Sequence, residues 1–128
     1  MTSQSTAVLV EGAPKPSGPF SQALVRGNIV ALSGQVGMDP VTREYVSDDV
    51  TEQTRQALAN MRAVLAGAGA RISDVVSVRV FVTRQEHLKP VNEAYLEVFS
   101  EPFPARTAVI VGLPGRMLVE IDALAVLG

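Results

Sequence analysis

A valine-rich segment constrains the possible folds of this chain more than any other feature. Residues 75–82 read VVSVRVFV, and the side chains of a strand alternate between its two faces. Alternation places four valines on one face, which are Val76, Val78, Val80 and Val82. Branched apolar side chains at every second position favour a strand that another layer covers. The segment therefore predicts a central strand with helices packed on its valine face.

The sequence before this strand has the periodicity of an amphipathic helix. Between Asp48 and Ala68, apolar side chains recur at intervals of three and four residues, at Val50, Ala57, Leu58, Met61, Val64, Leu65 and Ala68. Asp48 or Asp49 can cap the first turn, because a carboxylate there accepts from unpaired N–H groups and meets the positive end of the helix dipole. Gly67 and Gly69 can end the helix.

Shorter elements surround this helix and strand. The dipeptide Gly27-Asn28 lies between two apolar runs, and its tolerance of positive φ angles favours a tight hairpin turn. Pro90 is compatible only with the first turn of a helix, so a second helix is expected to begin near Lys89 and to run to about Phe99. The further expected strands are residues 7–10, the two arms of the hairpin within residues 22–32, residues 106–111 and residues 118–126.

These elements predict an α/β chain, an α+β two-layer sandwich, in one domain over residues 1–128. Its sheet is expected to have five or six strands, with two helices on one face. The other face must then be buried against something that this part of the chain does not supply. Because the last strands carry Val, Ile and Leu on both faces, self-association is the simplest expectation.

The composition excludes several kinds of chemistry. The chain has no Cys, which excludes disulfides, thiolate zinc sites and Cys nucleophiles, and the single His87 cannot form a multi-histidine metal site. A net charge of −2 disfavours nucleic-acid binding, including a ribonuclease role, because phosphates require a basic face. The apolar run at residues 7–10 is too short for a secretory or membrane-spanning segment, so a cytoplasmic protein without membrane contact is expected.

Two charged residues in the last two strands are candidates for chemistry. Arg106 begins a strand that has no other charge, and it either forms a structural ion pair or offers a planar fork to a substrate carboxylate. Glu120 lies in an apolar strand, on the same face as Asp122, and either pairs with Arg79 or Arg106 or handles a proton. Asn92 lies on the second helix, where a single amide is usually exposed or bonded to a neighbouring loop.

Five sequence motifs resemble the RidA (YjgF-like) family in order and spacing, across nearly the whole chain. They are GPFSQA at 18–23, SGQ at 33–35, VNEAY at 91–95, PAR at 104–106, and LP at 113–114 followed by VEI at 119–121. The resemblance implies the chorismate-mutase-like fold, a mixed sheet, and a homotrimer with clefts between subunits. It also implies that no metal or organic cofactor takes part.

The resemblance further implies the hydrolysis of small imino and enamino acids, such as 2-aminoacrylate, to 2-keto acids and ammonia. On that basis Arg106 holds the substrate carboxylate and Glu120 orients the attacking water. Ser33, Gly34 and Asn92 shape the cleft. The alternative is a non-catalytic trimer that binds small carboxylates as a sensor or regulatory partner, although Glu120 would repel such a ligand and so favours catalysis.

Two residues depart from the family pattern. Phe20 stands where archetypal members have Tyr, and Ala108 where many have Cys. The resemblance assigns both to the substrate cleft. Either the cleft is more apolar and favours imino acids with apolar side chains, or both residues are neutral packing substitutions. A hydrophobic pocket discriminates one methylene by only about 1–3 kcal/mol, so 2-aminoacrylate would still be accepted.

Overall fold

Six strands form one mixed sheet in the computed structural model, which describes residues 4–128; the first three residues of the predicted domain lie outside it. The strands are β1 (Thr6–Val8), β2 (Ala23–Arg26), β3 (Ile29–Val36), β4 (Val75–Val82), β5 (Ala105–Ile110) and β6 (Val119–Val126), and the helices are α1 (Val50–Gly67) and α2 (Leu88–Tyr95). The strand order is β1-β2-β3-β6-β4-β5, with only β4 and β5 parallel. The predicted α+β sandwich is confirmed.

The valine strand is central, as predicted, and lies between β6 and β5. Val78, Val80 and Val82 are fully buried. The prediction for Val76 is wrong, because Val76 is exposed and Val75 is buried instead. A register shift in the pairing with β6 follows Val75, and the extra residue inverts the alternation at this end of the strand.

The main helix begins and ends where local signals predict. The Asp49 side chain caps α1 by accepting from the Glu52 N–H at 3.0 Å, whereas Asp48 accepts from Arg116 Nε at 2.9 Å. The helix ends at Gly67, and Gly69 adopts a positive φ of 77°. Capping fixes the first turn because it satisfies an N–H group that has no partner within the helix.

The shorter elements deviate from the predictions only at their ends. The hairpin of β2 and β3 is confirmed, with φ at Gly27 of 59°. The second helix begins at Leu88 and places Pro90 in its first turn, but it ends at Tyr95 rather than Phe99. Single hydrogen-bonded turns follow it, including one from the Phe99 N–H to the Tyr95 carbonyl. The strand expected at residues 7–10 is observed as Thr6–Val8.

A buried glutamine fixes the start of β6 against α1. Gln53 is fully buried, and its Nε2 donates to the Ser47 carbonyl at 2.8 Å and to the Arg116 carbonyl at 3.0 Å. Its Oε1 accepts from the Leu118 N–H at 3.0 Å. The Gln53 side chain therefore supplies hydrogen-bond partners to backbone groups in the loop before α1 and in the loop before β6. Buried side-chain amides in proteins are normally hydrogen-bonded in this way.

The sheet face opposite the helices has solvent-exposed apolar side chains. Val119, Ile121 and the other buried residues of β6 face the helices, while Leu124 on the opposite face is 37% exposed and Val76 on β4 is 46% exposed. Every residue of the edge strand β5 is also exposed. No element among residues 4–128 covers this face, as the sequence predicts.

Gln53→Leu is expected to lower the free energy of unfolding by about 2–4 kcal/mol, because it leaves three backbone groups in the two loops without a partner. Chemical denaturation measures the loss. Gln56→Leu is the matched control on the same helix, since Gln56 donates only to the Asn60 side chain, and a loss of about 1 kcal/mol or less is expected. Equal losses in the two variants would contradict the bridging role of Gln53.

Candidate functional site

Glu120 faces a cavity of about 400 Å³ on one side of the sheet. The residue lies in β6, opposite Val36 of β3 and Phe81 of β4. Three of the residues that the sequence assigns to the cleft also line this cavity, namely Phe20, Ser33 and Gly34. Phe20 is 52% exposed at the cavity wall, and Ser33 Oγ donates to the Ser21 carbonyl. Four of the seven predicted site residues thus lie together.

Gly34 lets the Glu120 carboxylate lie directly against the backbone of β3. The pairing of β3 with β6 shifts register between Leu32 and Gln35, so Gly34 lies in an irregular stretch of the strand. A Cβ atom at position 34 would lie 2.8 Å from Glu120 Cδ and would clash with Oε2. A larger residue here would displace the flexible Glu120 side chain, so the position of the carboxylate depends on Gly34.

The Glu120 carboxylate has no cationic partner among residues 4–128. Burial raises the pKa of Glu120, and the nearby Asp122 carboxylate raises it further. The pair between Glu120 and Arg79 considered from the sequence is not formed, because Arg79 Nη2 contacts Asp122 Oδ2 at 2.6 Å instead. A half-buried carboxylate with a raised pKa is suited to accepting and returning a proton.

Arg106 is held by two side chains of α2. Its Nη2 donates to Asn92 Oδ1 at 2.6 Å, and its guanidinium carbon lies 4.9 Å from the centroid of the Tyr95 ring. Tyr95 in turn stacks on Phe99 at 4.3 Å between ring centroids. Arg106 has no carboxylate partner among residues 4–128, so the structural ion pair considered from the sequence is not observed. The guanidinium is fixed in orientation but keeps donors for a ligand.

The Arg106 guanidinium lines a second cavity, of about 340 Å³. Its walls are Asn92, Tyr95, Leu96, Phe103 and Pro104. Among the predicted site residues, only Asn92 accompanies Arg106 here. Ala108 lines neither cavity and lies on the exposed strand β5.

Arg106 and Glu120 lie on opposite faces of the sheet. Arg106 pairs with the buried Val78, which points toward the helices, whereas Glu120 pairs with Phe81 on the other face. Two strand spacings of about 4.8 Å and three residues along the strand also separate them, roughly 14 Å between Cα atoms. One copy of the chain therefore does not bring these two side chains into one site.

Several lining residues were not singled out from the sequence. Tyr95 lies three residues after Asn92, so helical periodicity could have placed it beside the same neighbour. Lys15 and Arg43 line the Glu120 cavity from loops, where no periodicity exists to reveal them. Residues 4–128 contain no group of three or more His, Asp or Glu side chains arranged for a metal ion.

Comparison with known proteins identifies the family. Residues 10–127 match the family model described as Endoribonuclease L-PSP. A 2-iminobutanoate/2-iminopropanoate deaminase of Dermatophagoides farinae is 42% identical over 116 residues, which are 90% of this chain and 91% of the relative. The chain belongs to the RidA (YjgF-like) family. The resemblance carried by the five sequence motifs is thereby confirmed.

Two further comparisons cover almost the whole chain. A RutC family protein of Pyrococcus horikoshii is 44% identical over 119 residues, 92% of this chain and 94% of the relative. Escherichia coli TdcF, whose crystal structure contains bound serine, is 33% identical in sequence to this chain. The two structures superpose with a TM-score of 0.90 over 96% of this chain and 99% of TdcF. Within the part of the chain that the structure describes, no helix has the length and hydropathy needed to cross a bilayer.

Gly34→Ala is expected to lower the free energy of unfolding by about 1 kcal/mol, because the new methyl group displaces the Glu120 side chain. In a Glu120→Ala background the same substitution is expected to have almost no effect, since the three nearest atoms all belong to Glu120. Chemical denaturation of the four proteins in this double-mutant cycle measures the coupling. An equal loss in both backgrounds would show that Gly34 is needed for another reason.

Proposed function

We propose that this chain hydrolyses imine and enamine forms of small amino acids to 2-keto acids and ammonia. The observation that carries the proposal is Glu120, a carboxylate that faces a cavity, has a raised pKa and has no cationic partner among residues 4–128. The deaminase of Dermatophagoides farinae, at 42% identity, supports the same reaction. The serine bound to TdcF supports a substrate of amino-acid size.

The reaction needs a positioned water and a group that moves protons. An enamine tautomerises to an imine, and water then attacks the imine carbon while the C=N electron pair takes a proton at nitrogen. Glu120 accepts a proton from the water and returns it to nitrogen. The product of this addition is a carbinolamine. Glu120 then takes the hydroxyl proton and passes it to the amine, the C–N bond breaks, ammonia leaves, and the oxygen that came from water becomes the keto group. General acid–base catalysis of this kind contributes about 10²–10⁴-fold to the rate.

Arg106 is the group that holds the substrate carboxylate in this proposal. A guanidinium offers two parallel N–H donors to a carboxylate, and Asn92 and Tyr95 fix its orientation before the substrate binds. Holding the substrate in one orientation lowers the entropic part of the barrier.

The active site combines Arg106 of one copy with Glu120 of another, in a homotrimer with clefts between subunits. Their placement on opposite faces of the sheet supports this arrangement, because neither residue reaches the other within one chain. The exposed apolar side chains of the open sheet face, including Val76 and Leu124, support association through that face. Asn92 accompanies Arg106, and Phe20, Ser33 and Gly34 accompany Glu120.

A non-catalytic binder of small carboxylates is the second candidate, since Arg106 alone could hold such a ligand. The Glu120 carboxylate would repel an anionic ligand in the same cleft, and so it favours catalysis. The family model is described as an endoribonuclease, but a net charge of −2 does not favour a phosphate-binding role.

Arg106→Ala and Glu120→Ala are each expected to lose imine hydrolysis by about 100-fold or more while the trimer remains. Mixed trimers made by refolding the two variants together are expected to regain activity, because some clefts then combine an intact Arg106 with an intact Glu120. The readout is the rate of keto-acid formation, with light scattering to compare the mass with three chains of 13.6 kDa each.

The matched control is a mixture of Arg106→Ala with the double variant Arg106→Ala/Glu120→Ala, which contains no intact Arg106 and should stay inactive. A site within one chain would give no recovery in any mixture. Arg106→Lys is expected to recover little, since an ammonium lacks the two parallel donors. Full activity in Arg106→Ala would refute the carboxylate-binding role.

The kcat/KM for imine hydrolysis is expected to fall as the pH falls through the pKa of Glu120, because only the ionised carboxylate accepts a proton. Burial and Asp122 raise that pKa, so the loss begins at a higher pH than for an exposed glutamate. Glu120→Gln is expected to lower kcat/KM by about 10²–10⁴-fold and to remove this pH dependence. Asp122→Asn should instead shift it to lower pH. An unchanged pH profile in Glu120→Gln would rule out Glu120 as the base.

A further inference from the structure

Two positive charges on the wall of the Glu120 cavity have no part in the reaction described above. Lys15 lies in the loop after β1, and Arg43 lies in the loop between β3 and α1. Arg43 Nη1 donates to the Lys15 carbonyl at 2.9 Å, which joins the two loops. Neither cation forms a salt bridge within residues 4–128. Neither charge is therefore committed to a carboxylate of residues 4–128.

The loop that carries Lys15 is anchored from inside the protein. Gln22 is 2% exposed, and its Nε2 donates to the Ala13 carbonyl at 3.2 Å and to the Pro14 carbonyl at 3.0 Å. These bonds hold the backbone immediately before Lys15. A cation on an anchored backbone is better placed for recognition than one on a free loop, because less conformational freedom is lost on binding.

The backbone at Arg43 is unusual for a residue with a side chain. Its φ of 61° is left-handed, and it is the only non-glycine residue with a positive φ among residues 4–128. The preceding turn is closed by Asp39, whose Oδ1 accepts from the N–H groups of Val41 and Thr42. Glycine adopts this conformation without the steric penalty that Arg43 bears. A strained conformation retained at a cavity wall is the kind of outlier from which a functional role is inferred.

We propose that Lys15 and Arg43 bind a second negative group on the substrate, and that this chain prefers the dicarboxylic imino acids formed from aspartate and glutamate. This inference rests on the proposed function and specifies its substrate class. Arg106 of a neighbouring copy takes the carboxylate next to the imine carbon, and Glu120 faces that carbon. The side chain of the substrate then extends along a wall with two cations, which favours a carboxylate at its end.

This preference differs from the one expected from Phe20. One interpretation of the sequence is an apolar cleft, because Phe20 and Ala108 lack the polar groups of the family pattern. The structure puts Phe20 in the same cavity as Lys15 and Arg43, while Ala108 lies outside it. With two positive charges against the single carboxylate of Glu120, the charge balance of the wall attracts a second carboxylate more strongly than an alkyl group.

The test compares imines produced in situ by amino-acid oxidases from aspartate, glutamate, alanine and leucine. Trapping with semicarbazide measures the imine that survives, and spontaneous hydrolysis is subtracted. The wild type is compared with Lys15→Gln/Arg43→Gly, in which glycine suits the backbone at position 43. Arg62→Gln is the matched control, because Arg62 is an exposed arginine of α1 outside the cavity.

The wild type is expected to have the higher kcat/KM for the two dicarboxylic imines. The double variant should lose about tenfold of that kcat/KM, with less than about a twofold change for the imines of alanine and leucine. Arg43→Lys should retain part of the preference, and added salt should weaken it. The Arg62→Gln control should match the wild type with every imine.

Two results would overturn the inference and leave the proposed function intact. One is a wild-type preference for the leucine imine, which would support the apolar cleft. The other is an equal loss with all four imines in the double variant, which would give Lys15 and Arg43 a purely structural role.

If the wild type hydrolyses no imine, the proposed function is wrong. Calorimetry with 2-oxoglutarate and 2-oxobutanoate then tests separately whether Lys15 and Arg43 recognise a second carboxylate. Tighter binding of 2-oxoglutarate that the double variant loses would support it, and equal binding would refute it.

Discussion

The alternation of side chains along β6 determines how the rest of the molecule is arranged. Val119, Ile121 and their buried partners attach the strand to the helical layer, and Glu120 must then project from the other face. Because β6 pairs with β3 and β4, the carboxylate lies at the middle of the sheet and beside the Gly34 backbone. In β4 the same alternation points Val78 toward the helices. Arg106 of β5 pairs with Val78 and therefore lies on the helical face, where Asn92 of α2 accepts a hydrogen bond from it.

Periodic patterns in the sequence predict most of this fold, because each element carries its own local signal. The capping residue of α1, the hairpin turn and the valine strand are examples. Predictions fail where the tertiary pairing overrides the pattern. The inverted alternation at Val75 and Val76 depends on a register shift against β6, and the early end of α2 at Tyr95 has no marker in the sequence. Neither feature can be read from one segment alone.

The sequence predicts which residues belong to the candidate site, but it does not predict where in the fold each of them lies. The family motifs contain Arg106, Glu120, Asn92, Phe20, Ser33 and Gly34, which all line one of the two cavities. Their division between opposite faces follows from strand register, which no motif encodes. Lys15 and Arg43 belong to irregular loops. The place of Lys15 on the cavity wall depends on the buried side-chain amide of Gln22, which bonds the carbonyls of Ala13 and Pro14.

The left-handed backbone at Arg43 also has an evolutionary consequence. Every arginine codon becomes a glycine codon by a single nucleotide change, and glycine is the residue that this turn accommodates with least strain. A lineage can therefore discard this charge in one step without strain in the backbone at position 43, although the bond to the Lys15 carbonyl is lost, whereas regaining the charge means accepting the strain again. Among homologous chains, the residue at position 43 would then vary with the substrate of each protein, while the surrounding fold stays the same.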